Sequence, residues 1–275
     1  MRSPFIADIQ LARRLEATDG WVGILAAQIH AQLHPDSGAV AEAIAGGDAV
    51  YTGVGSPLTQ AIGVGMKGPV GGPELEQLQA FFEVRGSATK IELCPHADPS
   101  LIPLLGARGY RLREFSNMLV RPLKGVNLAP IAEPAVNVRR CTRAEDDLWV
   151  RTVSRGFAED LPSSDENLPV LRSLFHRPDS SCLLAWIGDE PVGGGALAVH
   201  EGVAAFYGAS TLPLFRRRGV QKSIISALLQ NAVEAGCDIA YTLTSPGSSS
   251  QRNVERQFFR VVYTRCTVVR DFSPE

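Results

Sequence analysis

Leu148, Trp149, Val153 and Phe157 recur at helical spacing and predict a helix over Glu145–Phe157. It is entered from a short strand, Asn137–Thr142, with Thr142 as its cap. Ser163–Phe175 is expected to add another helix. Ser181–Ile187 and Val192–Val199 are apolar strands joined at a Gly188-Asp189 turn, and Glu201-Gly202 turns the chain into a third strand, 203–210. An amphipathic helix from about 219 to 235 follows, then a strand at Asp238–Thr244, a helix at Gln251–Gln257 and a strand at Phe259–Val269.

The first half has a similar plan. Tyr51–Val64 is an extended stretch punctuated by glycine, and Pro73–Phe82 is a helix with an early proline and acids in its first turn. Lys90–Cys94 alternates as a strand, Leu101–Arg108 is helical, and Tyr110–Arg121 is a strand or hairpin. Both halves place a proline after the penultimate long strand, at Pro95 and Pro246. This is a weak internal repeat. Between the halves, Pro122–Ala135 carries three prolines and a glycine without period, and reads as a linker. The element order implies an α/β class of the α+β type, each half a mixed, mostly antiparallel sheet flanked by helices.

Between the strand at 203–210 and its helix lies Thr211-Leu-Pro-Leu-Phe-Arg-Arg-Arg-Gly-Val-Gln-Lys-Ser223. A strand, a basic turn containing glycine and a helix starting at once make an anion site. The first helical N–H groups lack internal acceptors, and the helix dipole adds partial positive charge. Three consecutive arginines, Arg216–Arg218, add full charges. They are a local feature, because the 275-residue chain has a formal net charge of −2 and gives no global reason to expect nucleic acid. With 45% hydrophobic and 20% charged residues, the chain has the composition of a soluble globular protein. No apolar run approaches the roughly 20 residues of a membrane helix. The start does not form a secretory leader, and the five cysteines are scattered without C-x-x-C. The expectation is a cytoplasmic protein with reduced thiols and no membrane partner.

The second half resembles the GNAT superfamily, the acyl-CoA-dependent N-acyltransferases. The family's Q/R-x-x-G-x-G/A turn is matched by Arg216-Arg217-Arg218-Gly219-Val220-Gln221, with the preceding strand, Pro213, the following helix and the later strand Asp238–Thr244 in place. Gln221 departs from the usual small residue, and Phe258 stands at the glycine of the family's terminal Gly-Phe. The resemblance implies a tandem protein: a degenerate GNAT-like domain at 1–125, a linker at 126–136, and an acetyl-CoA-binding GNAT domain at 137–275. The first copy offers Gly63–Gly72 at the equivalent turn, rich in glycine but with only Lys67 for charge.

The resemblance further implies acetyl transfer from acetyl-CoA to a primary amine of a small-molecule or peptide acceptor, by direct attack. The cofactor is expected on Arg216, Arg217, Arg218, Gly219, Val220, Gln221, Lys222 and Ser223. The strand edge at Ala209, Ser210 and Thr211 would bond its pantetheine amides, and Asn253 would face it. The family's general-acid tyrosine falls on Val254. Tyr207 and Tyr263 are the substitutes, each also readable as a core aromatic, and Glu201 is a candidate at a hairpin end. Ser248–Ser250 read as a helix cap or as cofactor contacts. His30 and His34 are four apart before Pro35, but no metal set is expected. The rival reading is an acyl-CoA-binding sensor or scaffold without turnover. A protein of this kind is expected as a monomer or homodimer.

Overall fold

The computed structural model describes residues 8–125, 135–157 and 168–272. From the N-terminus run α1 (Ile9–Leu33), β1 (Val40–Ile44), β2 (Gly47–Tyr51), β3 (Gln60–Ile62), α2 (Gly72–Glu83), β4 (Thr89–Leu93), α3 (Leu101–Ala107) and β5 (Arg111–Pro122). There follow β6 (Asn137–Arg140), α4 (Asp146–Gly156), α5 (Leu168–Phe175), β7 (Ser180–Ile187), β8 (Glu190–His200) and β9 (Val203–Thr211). The chain ends with α6 (Val220–Glu234), β10 (Ile239–Thr244), α7 (Ser249–Arg256) and β11 (Arg260–Arg270). Two compact units result. One is built from residues up to Met118 and from Val261 onward, the other from Leu119–Arg260.

In the first unit the strand order is β1-β2-β3-β4-β11. β3 and β4 run parallel, with Ala61 opposite Ile91; β1/β2, β2/β3 and β4/β11 are antiparallel. α2 lays Leu75, Leu78 and Phe82 into a core with Ile91 and Leu101, as the helical spacing requires. β11, which the pattern places with the second half, is grouped here, and its side chains give the reason. Arg265 is wholly buried, with Nη1 donating to Asp19 Oδ2 at 2.7 Å and to Glu16 Oε2 at 3.3 Å. Tyr263 Oη donates to Glu16 Oε1 at 2.7 Å, and Thr267 Oγ1 donates to Glu92 Oε1 at 3.0 Å. Burial raises the Glu16 pKa, against the pull of Arg265.

In the second unit the order is β10-β9-β8-β7-β6, and β9/β10 is the parallel pair. α6 covers one face, with Ile224 and Leu228 in a cluster with Val192, Leu197 and Phe206. Trp149, Val150 and Val153 of α4 pack into a second cluster with Phe175, Leu184 and Ala196. Each such fully buried side chain is worth about 1.5–3 kcal/mol. The Gly193-Gly194-Gly195 run of β8 admits both helices. A Cβ at Gly194 would fall 2.8 Å from Val153 Cγ2, and one at Gly195 would fall 2.8 Å from Ile224 Cγ2.

The expected helices and strands appear within a few residues of their limits, and each unit is a mixed sheet with flanking helices. Three features went unread: the full length of α1, the strand β1, and β2, of which only Tyr51 falls in the expected stretch. The stretch at 51–64 is not continuously extended, since turns separate β2 from β3. Of the expected linker only Ala135 and Val136 are described, and residues 158–167 of the expected helix and acceptor region lie outside the described residues. Among the described residues no helix is long and apolar enough to cross a membrane.

Candidate cofactor cleft

The parallel ladder between β9 and β10 runs from Val203/Ile239 to Phe206/Thr242 and stops. Thr242 Oγ1 donates to the Phe206 carbonyl at 3.3 Å at the last paired position. Beyond it β9 continues to Thr211 and β10 to Thr244 without pairing to each other. Gly208, at φ +67°, marks the divergence, where the β8/β9 register shifts between Gly194 and Ala196. The far end of β9 thereby turns an unpaired backbone edge to one side.

Leu212 N donates to the Val192 carbonyl at 2.9 Å, which fixes where the turn begins. Arg217 adopts φ +63°, uncommon for a residue other than glycine, and Gly219 caps α6 at φ +78°. The first helical bond at this end runs from Ser223 N to the Gly219 carbonyl, at 3.0 Å. The amides of Val220 and Gln221 therefore have no acceptor within the helix, and the first turn carries no acid. Facing this end is α7, whose Ser248 cap accepts from Gln251 N at 3.1 Å. Between them lies a cleft of about 890 Å³, lined by the β9 edge, the turn, Gly156 at the end of α4 and Phe157 after it, and Ser249, Ser250, Arg252, Asn253 and Arg256 of α7. Gly156 makes room for the strand end, because a Cβ there would meet Ser210 Oγ at 2.4 Å.

Residues 146–256 match the model of the acetyltransferase (GNAT) family. The second unit carries a GNAT domain. No curated protein matches the sequence. Among solved structures, a GCN5-related N-acetyltransferase from Kribbella flavida is 20% identical with a TM-score of 0.66, covering 92% of this chain and 97% of that one. A tandem GNAT protein from the clavulanic acid biosynthesis pathway is 13% identical, TM-score 0.60, covering 83% and 80%. A GCN5-related N-acetyltransferase from Sphaerobacter thermophilus is 15% identical, TM-score 0.55, covering 68% and 61%. At these identities the likeness is one of fold, and it extends well beyond the segment matched by the family.

Of the residues expected at the cofactor, the GNAT domain brings Ala209, Ser210, Thr211, Arg216, Arg217, Gly219, Val220, Gln221, Lys222 and Asn253 to the cleft wall. Arg218 and Ser223 do not line it. The Arg218 guanidinium lies over the Phe215 ring, 5.3 Å from its centroid, and Ser223 is buried in α6. Gln221 turns its side chain to α7, where Oε1 accepts from Asn253 Nδ2. Thr211 Oγ1 is buried and has no hydrogen-bond partner among the described residues.

None of the three catalytic candidates lines the cleft. Tyr207 Oη is bonded to Ser180 Oγ at 2.5 Å and to the Leu174 carbonyl at 3.4 Å, and burial raises its pKa. Glu201 sits at the β8–β9 turn with φ +46°. Tyr263 belongs to the buried cluster of the first unit. Val254, at the family's tyrosine position, is buried. Sequence reasoning missed Arg252 and Arg256, although their spacing of four on a helix places them on one face.

The equivalent turn of the first unit is already satisfied. Glu74 sits at the α2 N-terminus and accepts from Gly71 N at 3.0 Å, while Pro73 removes a donor. Val70 N donates to Ser100 Oγ at 3.1 Å, and Arg13 Nε donates to the Met66 carbonyl at 2.9 Å. A carboxylate stands in the first turn of α2, whereas the first turn of α6 carries none. The His30 and His34 rings are 4.8 Å apart, and no metal-ligating cluster occurs among the described residues.

Proposed function

We propose that the GNAT domain binds acetyl-CoA and moves its acetyl group to a primary amine of a small-molecule or peptide acceptor. The observation that carries this reading is the meeting, in one cleft, of a helix N-terminus without a side-chain cap, a cationic turn and a strand edge that diverges from its neighbour. The donor set fits the cofactor. The amides of Val220 and Gln221, with Arg216 and Arg217, suit a pyrophosphate. The backbone of Ala209–Thr211 suits the amides of a pantetheine arm laid along it like an added strand. Thr211 Oγ1 supplies a buried hydroxyl that lacks a partner among the described residues. Bound there, acetyl-CoA supplies an acyl carbon activated as a thioester and open to direct attack by a neutral amine.

An amine of pKa near 10 must shed a proton before attack, so a base acting through water is required. Calorimetry with acetyl-CoA tests the reading. The expected result is one site per chain, lost in Gly219→Glu, which puts a carboxylate at the helix terminus. Absence of wild-type binding at millimolar cofactor refutes it.

A second reading is an acyl-CoA-binding module without turnover. It is favoured by the buried Val254 and by the withdrawal of Tyr207, Glu201 and Tyr263 from the cleft wall. Release of free CoA over a panel of amines and amino acids separates the two: binding without transfer favours the module.

A further inference from the structure

We propose that α7 forms a second anion subsite in the same cleft, which reads the 3′-phosphate of the CoA nucleotide and selects CoA over its 3′-dephospho form. The inference rests on the reading of the cleft as a CoA site and adds to it a determinant of nucleotide specificity.

The argument begins with a surplus of positive charge. A pyrophosphate carries about two charges, and the α6 terminus with Arg216 and Arg217 already answers them. α7 brings two more guanidinium groups, Arg252 and Arg256, to the same cleft. Four apart on one helix face, like charges repel and destabilise the helix. Among the described residues neither is paired with a carboxylate. Arg252 Nη1 donates to the Gly247 carbonyl at 2.7 Å and Arg256 Nη1 to Asn253 Oδ1 at 3.1 Å, both neutral acceptors. A guanidinium has five N–H donors, so most of each fork is left for a ligand. A phosphomonoester, with a charge of about −1.5 to −2 at pH 7 and three acceptor oxygens, is the complementary group.

The forks are also oriented. Gln221, in the first turn of α6, accepts from Asn253 Nδ2, and Asn253 Oδ1 in turn accepts from Arg256. The residue that departs from the family's small one thus ties the pyrophosphate turn to α7. A glycine or alanine at 221 has no side-chain acceptor with which to hold Asn253. Gln221 is accordingly a positioning residue, and Arg252 and Arg256 are the contacts.

Calorimetric titration of the full chain with CoA and with 3′-dephospho-CoA decides the matter. The expected result is a preference for CoA of at least about tenfold in the wild type, as charge-assisted hydrogen bonds supply. The preference should fall to within about twofold in the Arg252→Gln/Arg256→Gln variant, and to an intermediate value in Gln221→Ala. Circular dichroism checks that each variant is folded, and the ratio of the two affinities is internal to each protein. Equal affinities in the wild type overturn the subsite and leave the acetyl-CoA reading standing. A preference undiminished in the double variant overturns the assignment to α7. Failure of both ligands to bind overturns subsite and reading together.

Discussion

Replacing Gly156 by alanine tests how the end of β9 is held open beside α4. The new Cβ would lie 2.4 Å from Ser210 Oγ, 2.6 Å from Ser210 Cβ and 3.1 Å from the amide nitrogen of Thr211. Carbon atoms rest at about 3.5–4.0 Å, so the strand or the helix must shift by about 1 Å. Overpacking of this kind costs about 1–3 kcal/mol. Swinging the Ser210 side chain aside also forfeits its 3.0 Å bond to the Val153 carbonyl, worth about 1 kcal/mol. The single variant should therefore lose about 2–4 kcal/mol in urea denaturation followed by the fluorescence of the three tryptophans, Trp21, Trp149 and Trp186. Ser210→Gly alone loses the bond and gains chain entropy, for about 1.5–2 kcal/mol. In the double variant the Ser210 clash is absent, and only the contact with Thr211 N stays tight. The two changes should couple by at least about 1 kcal/mol. Strictly additive effects, or a single variant without cost, would refute the packing argument.

Two further expectations concern titrating groups. Glu145 is held at a pKa of about 2 by the forked Arg139 guanidinium, at 3.0 and 2.5 Å, and by the Thr142 amide at 2.8 Å. Because its folded pKa is depressed, its contribution is complete above the ordinary value of 4.5 and fades as pH falls toward 2. Glu145→Gln should flatten that part of the acid-denaturation profile by less than about 1 kcal/mol, the pair being exposed to solvent, and an unchanged profile would count against the pairing. Burial pushes Cys94, Cys141 and Cys182 up to about 12 and Cys237 to about 11. At pH 8 a thiol of pKa 12 is thiolate in roughly one molecule in ten thousand, so iodoacetamide should label these four slowly until the chain is unfolded. Rapid native labelling of any of them would contradict the burial.

The turn at the cleft was legible because its parts are local. An apolar strand, a glycine free to take positive φ, clustered arginines and an amphipathic helix lie within one short run of sequence. What partners those parts find at a distance was not legible. Nothing in the spacing of Gln221 and Asn253 says that their side chains meet, and Arg256 reads as an ordinary solvated charge until that contact is known. Tyr207 and Tyr263 posed the same difficulty, since a phenol in a core and a phenol at a reaction centre have the same sequence context. The destination of β11 was hidden for a different reason. Its alternation predicts a strand but says nothing of which unit takes it.

That destination sets an order of events during synthesis. Val261–Arg270 leave the ribosome after all of Leu119–Arg260, yet they pair with β4 of the first unit. Until then β4 has an open edge, and Glu16, Asp19 and Glu92 wait without the guanidinium that neutralises them. The unit translated first is thus the one completed last, and the GNAT domain can close while its predecessor is still unfinished.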